Sequence, residues 1–556
     1  MTFPDKPTDL DTDAAAGRGR PGPSEQIDRR GWLALIAIAL GVSVVIMDAT
    51  IVNVALPVVI KDLGLTATDA QWINASYSLV FAALLLTLGR WGDLHGRRRL
   101  FGAGITLFMA ASLVAGSSGS AGLLIAARLV QGLGAAMVVP STLSTLNAMF
   151  VGRARTIAFA VWGSAIGGMA AIGPLVGGWL ATDASWRWAF WLNIPVGLVV
   201  LAGIIRSIPE TRDATAVPGR DPAGVTLSAL GMGGLVFGLI EAQAYGWWQQ
   251  SDGSLSPVPI ALAGGAALMV AFVVVERGRA ATGRHVLIDL TLFHLPTFRY
   301  GVLAALIVSL GEFGLLFTLP LLLQGTLGYS ALGTGGIIVA LALGTFFISG
   351  ALPQLSNRMS RRAIVQTGLA LEAVAVGGLG LALSLSISTF VLCALLFVYG
   401  VGVGMATAQL TALLLADVPR DESGQASGVQ SAIRQLGSAL GVAALGGLLI
   451  NQLAADTRAR LDTLGIPGHT AGGITSAVKD SAGIAIAGLQ GDPHLHQVAQ
   501  AASQAMIHAS RLTLATAAVA LLIGLAATRA LPRQPASDEV DDASDDSVRH
   551  DDRLPD

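Results

Sequence analysis

The chain has 556 residues, of which 53% are hydrophobic and only 13% are charged, and its mean hydropathy is +0.65. This composition excludes an ordinary soluble protein, in which about a quarter of the residues are charged, and the single Cys393 excludes a disulfide framework. The formal net charge of −2 combines a basic body with an acidic end, because residues 534–556 hold nine acids and two arginines.

The first 30 residues are polar where a secretory signal peptide would carry its apolar core, so residues 1–30 are expected to form an uncleaved cytoplasmic tail. Apolar runs follow, each about long enough to cross a hydrocarbon layer of ~30 Å as a helix. The alternation typical of a membrane barrel is not visible, so the sequence predicts an all-α polytopic membrane protein. The fourteen predicted spans lie near residues 32–59, 70–89, 100–117, 121–148, 157–180, 188–207, 223–244, 257–275, 300–323, 332–353, 363–387, 389–415, 425–450 and 508–531.

Basic residues gather in alternate connections between these spans, as the positive-inside rule requires of cytoplasmic loops. This pattern predicts that both termini lie in the cytoplasm and that the protein is a multi-pass protein of the cytoplasmic (inner) membrane. The arginines concerned are Arg97–Arg99, Arg153, Arg155, Arg206, Arg212, Arg220, Arg277, Arg279, Arg284, Arg358, Arg361 and Arg362.

Two segments of the second half echo segments of the first. "GALPQLSNRMSRRAI" (350–364) is a degraded copy of "GRWGDLHGRRRLF" (89–101), and "VAALGG", ending at Gly447, echoes "GPLVGG", ending at Gly178. The offsets are 264 and 269 residues. Two similar halves of six spans, with two extra spans between them, predict a transporter built from parallel repeats.

Five stretches together resemble the major facilitator superfamily, specifically its 14-helix drug:proton antiporter branch of quaternary-ammonium and multidrug exporters. "GRWGDLHGRRR" resembles the loop motif G-x-L-A-D-x-x-G-R-R, with departures at Trp91, Gly92 and Leu94. "RLVQGLGAA" (128–136) resembles the fourth-helix motif, and "GPLVGG" (173–178) resembles the fifth-helix antiporter motif, with Met169 where a glycine is usual. "MDATIVNVALPVV" (47–59) and "WRWAFWLNIPVG" (186–197) resemble stretches typical of the 14-helix branch.

The resemblance implies a division of the chain into two six-helix halves. The N-terminal half would span residues 31–207, two extra transmembrane helices would occupy 208–284, and the C-terminal half would span 285–531. This last half would include a long extracytoplasmic loop at 451–507. Residues 532–556 are too acidic to bury a core and are expected to be a disordered tail.

Small residues follow one face of the fifth span, where they would let two helices touch backbone to backbone. Ordinary packing explains such a face, but the resemblance implies that it seals against a helix of the other half. The motif residues are Gly167, Gly173, Pro174, Gly177 and Gly178.

Charges inside the spans are informative because each costs ~2.5–3.5 kcal/mol at the bilayer centre unless it is paired or wetted. Asp48 lies ~15 Å and Arg128 ~10 Å from the outer surface, at 1.5 Å per residue, so the two side chains are expected to pair. The pair is interpreted either as a permanent tie between helices or as a proton-coupling site. From the inner surface, Glu312 lies ~18 Å deep and Arg434 ~15 Å deep, with Glu372 as an alternative partner for Arg434.

Other residues receive narrower assignments. Asp48, Asn53, Glu312 and Tyr399 are candidates for lining a substrate cavity, and Asp48, Arg128, Glu312 and Arg434 are candidates for proton coupling. Glu241, beside Tyr245, Trp247 and Trp248, is interpreted as an interfacial glutamate.

The positive-inside rule explains the arginines of "GRWGDLHGRRRLF" but not its glycines or Asp93. Gly89, Gly92 and Gly96 are expected to permit a tight loop because they lack side-chain bulk and tolerate positive φ, and Asp93 is expected to pair with Arg97. The resemblance implies a latch that forms between Asp93 and the helix starting near Ser423 when the cytoplasmic side is closed. The alternative is a cluster that only sets orientation.

An ATP-driven pump needs a Gly-Lys phosphate loop, and none of the three lysines follows a glycine. A proton gradient, worth ~3.7 kcal/mol per proton at 100 mV and one pH unit, is then the expected driving force, with no cofactor and no metal. The predicted function is proton-coupled export of amphipathic, cationic or aromatic compounds by a monomeric, non-enzymatic protein that binds no nucleic acid. The alternatives are a narrow exporter of one endogenous metabolite, antibiotic or siderophore, and a membrane sensor or scaffold.

Overall fold

The computed structural model describes residues 27–150, 152–212, 221–250, 254–284, 286–356, 358–414, 417–418 and 423–530. These residues form helices and turns, with a single β-bridge between Gln249 and Leu255. Most of the predicted N-terminal tail and the whole acidic C-terminal tail lie outside the described residues.

Helices α1 to α7 cover the predicted N-terminal half, α8 and α9 are the two extra helices, and α10 to α17 cover the remainder. The α-helices are α1 (Arg29–Leu63), α2 (Ala67–His95), α3 (Arg97–Gly116), α4 (Ala121–Met149), α5 (Gly152–Trp179), α6 (Trp188–Trp191), α7 (Asn193–Ser207), α8 (Pro222–Tyr245), α9 (Pro257–Ala281), α10 (Pro296–Gly325), α11 (Ala331–Ser356), α12 (Arg361–Ala382), α13 (Thr389–Leu414), α14 (Ser423–Thr463), α15 (Gly468–Asp480), α16 (Ala485–Gln490) and α17 (His496–Ala527).

Side chains at the helix ends explain where the first two helices begin. Asp28 accepts a hydrogen bond of 2.6 Å from the backbone N–H of Gly31, and Thr66 and Asp69 form a reciprocal capping box before α2. Each of these contacts satisfies a backbone donor that the first helical turn leaves unpaired.

Thirteen helical segments among the described residues are long and apolar enough to cross a membrane, with lengths of 20 to 39 residues. One of them joins α6 and α7 as Trp188–Ser207. Helix α5, at the place of the remaining predicted span, has 28 residues, of which the described apolar stretch is Ile157–Ile166. These long apolar helices confirm the predicted all-α polytopic membrane fold. In lipid, a helix can span the membrane because it satisfies its backbone groups internally. The total of fourteen spans and the cytoplasmic placement of both termini stay predictions.

The N-terminal and C-terminal helices meet chiefly where α2 packs against α14, α5 against α11 and α1 against α10. The extra helices α8 and α9 pack against each other, and α8 also packs against α2 and α14. The N-terminal helices share an apolar core that includes the fully buried Phe101 and Phe108. The extra helices therefore lie beside the α2–α14 contact.

The predicted long extracytoplasmic connection over residues 451–507 is helical over most of its length, and its extracytoplasmic placement stays a prediction. Helix α14 continues past the predicted span to Thr463, α15 and α16 follow, and α17 begins at His496. Leu461, Ala471 and Val498 are buried together in a small apolar cluster among these helices. Hydropathy missed them because α15 and α16 are shorter than a membrane span and their outer faces are polar.

Candidate transport site

The acid predicted on the first span lies in a buried polar network. Asp48 forms an ion pair with Arg128, and neither side chain is more than 1% exposed. The other carboxylate oxygen of Asp48 accepts hydrogen bonds from the amides of Gln131 at 3.0 Å and Asn193 at 2.8 Å. Both amides also donate to the hydroxyl of Ser112, at 2.8 and 3.1 Å. Helices α1, α4 and α7 thus meet at one carboxylate, and Ser112 joins α3 to the same network through the two amides.

The guanidinium of Arg128 is enclosed as well as paired. Its Nε donates to the carbonyl oxygen of Ile73 at 3.1 Å, and its Nη1 also donates to Gln131 at 2.9 Å. The guanidinium carbon lies 4.3 Å from the ring centre of Tyr77, which adds a cation–π contact. Removing one partner of a buried pair leaves an uncompensated charge at a cost of ~3–5 kcal/mol. The pair is therefore hard to separate in this conformation.

The charged pair between α10 and α14 is held more loosely. Nη2 of Arg434 lies 3.8 Å from Oε2 of Glu312, and the two side chains are 33% and 14% exposed. That carboxylate oxygen accepts no hydrogen bond from the described residues. A partly exposed ion pair without a direct hydrogen bond exchanges partners at a lower free-energy cost than the buried network around Asp48.

Glu372 on α12 is a second buried acid in the C-terminal helices. It is fully buried, and neither carboxylate oxygen has a hydrogen-bond partner among the described residues. Its stem packs against the backbone of Gly402 in α13, one turn from Tyr399. Tyr399, a cavity candidate, is only 1% exposed. In this structure Tyr399 therefore lies among the buried residues of the C-terminal helices, and its place on a substrate cavity stays a prediction.

Two further polar residues tie helices to α2. Oδ1 of Asn53, the remaining cavity candidate, accepts a hydrogen bond of 3.0 Å from Asn74, which links α1 to α2. The indole of Trp72 donates to Glu241 at 2.8 Å, which links α2 to the extra helix α8. The partner of Glu241 is thus a belt-type tryptophan, in keeping with the interfacial interpretation.

Part of the small-residue face of α5 packs on α1. A Cβ added to Gly177 would lie 3.0 Å from Cα of Ile51, and one added to Gly173 would collide with Thr50. Such glycines let two helix backbones approach closely. The contribution of Gly167 to this packing lies outside the described residues.

The other part of this face contacts α11, across the two groups of helices. A Cβ added to Gly178 would lie 2.5 Å from the carbonyl oxygen of Ala331, and the carbonyl of Pro174 abuts Gly335. The hydroxyl of Thr182 accepts a hydrogen bond of 3.0 Å from the N–H of Leu332. The motif therefore forms a backbone-to-backbone seam between α5 and α11.

Gly178→Ala is expected to open this seam, because the new methyl group would meet the backbone of α11, which cannot turn away as a side chain can. We expect reduced transport together with increased passive proton leak in vesicles. Gly168→Ala on the same helix is the matched control, since a Cβ there meets nothing within 4 Å. Equal leak in the two variants would show that the seam does not seal the protein.

The turn between α2 and α3 consists of one residue, Gly96, whose φ is +125°. Gly89 and Gly92 lie inside α2, so their predicted role as loop glycines is wrong. They serve packing, because a Cβ on Gly92 would lie 2.8 Å from the side chain of Leu100, and one on Gly89 would lie 3.2 Å from Pro140. Gly96 alone needs the left-handed conformation that glycine adopts readily.

The charges of this turn have two sets of partners. Asp93 accepts a hydrogen bond from Nε of Arg97 at 2.7 Å. Glu210, just beyond α7, accepts from the backbone N–H of Arg98 at 3.1 Å and lies 3.6 Å from Nε of Arg99. The sequence did not single out Glu210, because an acid in a connection carries no periodic signal. The turn is thus fastened to the end of α7.

Asp93→Asn is expected to weaken the predicted latch to α14, because an anion near a helix N-terminus contributes ~0.3–1 kcal/mol. That energy corresponds to a shift of up to about fivefold between the two conformations. Cysteines placed next to Asp93 and near Ser423, in a chain lacking Cys393, would cross-link less readily in the variant. Glu210→Gln is the control at the same turn, and unchanged cross-linking in Asp93→Asn would reduce the stretch to a topogenic anchor.

The network around Asp48 also contains residues that the sequence analysis did not assign. Gln131 lies within the quoted stretch "RLVQGLGAA" and Asn193 within "WRWAFWLNIPVG". Polar residues inside apolar spans were the available signal, but only the tertiary structure shows that both amides converge on one carboxylate.

Comparison with known proteins agrees with this arrangement of helices. The sequence model of the Major Facilitator Superfamily matches residues 38–442. The chain belongs to the major facilitator superfamily. It is therefore a transporter and not an enzyme, and its apolar spans fit a multi-pass protein of the cytoplasmic (inner) membrane.

Relatives of this chain include proteins from the genus Streptomyces. The probable actinorhodin transporter of Streptomyces coelicolor is 33% identical over 78% of this chain and 75% of that protein. The puromycin resistance protein of Streptomyces alboniger is 34% identical over 75% of this chain and 82% of that protein. Among solved structures, an inward-facing, occupied bacterial homologue of the human lysosomal transporter Spinster matches with a TM-score of 0.60. It is 16% identical and covers 89% of this chain and 95% of that one, so it shows the fold alone.

Proposed function

We propose that this transporter exports amphipathic, cationic or aromatic compounds in exchange for protons, by alternating access. The observation that carries the proposal is the contrast between two interior ion pairs. The Asp48 and Arg128 side chains are at most 1% exposed, whereas the Glu312 and Arg434 side chains lie 3.8 Å apart and are 14% and 33% exposed. A partly exposed acid can accept either a proton or a cation without dismantling the surrounding structure.

In this mechanism, ionised Glu312 attracts a cationic substrate from the cytoplasmic side, and Arg434 limits how long the cation is held. Proton binding from the outside neutralises Glu312 and releases the substrate. In the opposite conformation, Asp48 exchanges its contact with Arg128 for a proton. This pair therefore responds to the same proton gradient. The seam of Gly178 and the turn at Asp93 close opposite ends of the pathway.

The proposal also names partners. The substrate is a small molecule, protons are the counter-ion, the lipid bilayer is the solvent, and the protein works as a monomer without a cofactor. The names of the relatives support export of antibiotics in general. Because the actinorhodin relative is named for a single compound, export of one endogenous antibiotic, metabolite or siderophore is retained as a narrower candidate.

Purified protein in proteoliposomes would test the proposal. A panel of dyes and antibiotics is offered under an imposed pH gradient, an imposed membrane potential, or both, while substrate and internal pH are followed. One-for-one exchange of a neutral compound responds to both gradients, whereas exchange of a monocation responds to the pH gradient alone. Transport of many panel members favours the broad exporter and transport of one favours the narrow exporter. Substrate movement that leaves internal pH unchanged excludes proton exchange, and no movement of any panel compound contradicts export of amphipathic compounds.

A further inference from the structure

The two extra helices carry a pair of acids outside the site described above. Asp221 caps the start of α8, and Glu276 lies near the end of α9; their side chains are 4% and 0% exposed. A Cβ added to Gly224 would lie 2.5 Å from Oδ2 of Asp221 and 2.5 Å from Oε1 of Glu276. These two oxygens therefore converge on one point, and the carboxyl groups are within hydrogen-bonding range of each other.

The hydrogen bonds of Glu276 are uneven. Its Oε2 accepts from the backbone N–H groups of Leu287 at 2.7 Å and Ile288 at 3.1 Å. Its Oε1 has no donor among the described residues, and the same is true of Oδ2 of Asp221. Two buried oxygens that face each other are thus the two that lack a donor, which is costly for each of them.

Asp221 is the better placed of the two acids to remain ionised. Its Oδ1 accepts from the N–H of Gly224 at 2.8 Å and lies 3.4 Å from Nε of Arg279. Burial raises the pKa of Asp221, but the hydrogen bonds from Glu276 and Gly224 and the charge of Arg279 outweigh burial and hold this pKa below its usual value.

We infer that Asp221 and Glu276 form a proton-binding site, in which Oε1 of Glu276 carries one proton and donates it in a hydrogen bond to Oδ2 of Asp221. A single O–H group then satisfies both orphaned oxygens at once. Without that proton, two buried carboxylates would face each other and repel. An independent observation supports this proton site. Oε1 of Glu276 is buried, has no hydrogen-bond donor among the described residues and lies next to Asp221.

Three elements around the pair carry charged or polar groups, and one of these groups touches the pair. Arg279 of α9 lies against Asp221. In the segment before α10, Asp289 accepts hydrogen bonds from Thr291 at 2.9 and 2.7 Å. Helix α14 contributes Gln425, which is neutral at every pH. The protonation of the pair is therefore set chiefly by the two acids and Arg279.

The proton site is connected to α14. The backbone carbonyl of Leu287, whose N–H is held by Glu276, accepts a hydrogen bond of 3.3 Å from Gln425 in the first turn of α14. Ile288 packs against the apolar cluster that contains Ala426 and Val429. Loss of the proton would leave the pair repelling and would loosen segment 287–288 on α14. The extra helices thus form a proton-dependent tie to the helix that carries Arg434, a role beyond the proposed function and independent of it.

Infrared difference spectroscopy of the full-length protein in nanodiscs tests the proton directly. The parent is expected to show a carboxylic acid C=O band at neutral pH that Glu276→Gln lacks and that disappears as the pH rises. Glu241→Gln, on the other extra helix and bonded to Trp72, should keep the band. Asp221→Asn should move its disappearance to lower pH by about one unit or more, because the neighbouring negative charge is gone.

Hydrogen exchange reports the tie to α14. After correction for intrinsic exchange rates, protection of the Leu287 and Ile288 amides should fall in the parent over the pH range in which the band disappears. In Glu276→Gln, whose amide can donate to Asp221 at any pH, protection should not change. An identical carboxylic acid band in the parent and Glu276→Gln, or protection in the parent that does not follow the band, would overturn the inference. Both measurements need no substrate, so they stand apart from the outcome of the transport assay.

Discussion

Asp48→Asn is expected to abolish substrate-induced proton movement in everted vesicles and to lower thermal stability. Asparagine keeps the size of the side chain but removes the charge that balances Arg128, which is 1% exposed. Leaving a buried guanidinium unpaired costs ~3–5 kcal/mol. Proton-sensitive dye fluorescence on adding substrate measures the coupling, and thermal unfolding in detergent measures the stability.

The double variant Asp48→Asn with Arg128→Gln distinguishes a coupling acid from a permanent structural pair. Removing both charges leaves no uncompensated ion, and such replacements are often neutral for stability. If Asp48 couples transport to protons, the double variant recovers thermal stability but not proton movement. Recovery of both would make the pair purely structural, and intact proton movement in the single variant would exclude Asp48 as the coupling acid.

The membrane spans could be predicted because lipid leaves few choices. A long apolar run must satisfy its own backbone groups, so α1, α10 and the other long helices follow from hydropathy alone. The Asp48–Arg128 pair was also within reach, because the depth of each charge follows from 1.5 Å per residue. These inferences depend on a local count along one helix and on no knowledge of packing.

The features that the sequence analysis missed depend on which helices become neighbours. Gln131 and Asn193 meet at Asp48 only because α4 and α7 flank α1. Glu210 contacts the α2–α3 turn although more than a hundred residues separate the two in the sequence. Gly89 and Gly92 were assigned to a loop because glycine is common in turns, whereas in lipid small residues also serve close packing within helices.

The helices within residues 451–507 show what a hydropathy average does not detect. Helices α15 and α16 bury one face against α14 and α17 and leave the opposite face exposed. Their apolar residues, such as Ile474 and Val478, are spaced for a helix, but the mean hydropathy of the stretch is too low for a span. An amphipathic helix of this kind is detected by its period and not by its average.

Glu312→Gln is expected to weaken export of dications more than export of monocations. At an effective dielectric constant of about 20, a unit charge ~6 Å away contributes on the order of 3 kcal/mol to an interaction, and a second positive charge on the substrate adds to this attraction. We therefore expect the rate for a dication to fall at least about tenfold further than the rate for a monocation, since ~1.4 kcal/mol corresponds to a factor of ten. Initial rates for a matched pair of mono- and dicationic dyes provide the measurement.

This last prediction tests whether the partly exposed Glu312 binds the charge of the substrate. If Arg434 and Glu312 act only as a tie between α10 and α14, Glu312→Gln slows both dyes equally, because the loss then lies in the fold and not in the attraction of charge. Glu241→Gln controls for removal of an acid beside α2, since Glu241 bonds to Trp72 and not to Arg434. A selective loss of the dication in Glu312→Gln, with Glu241→Gln unaffected, would place the substrate's charge at Glu312. Equal losses would return the pair to a structural role, and the interior acid that binds the substrate would have to be sought at Glu372.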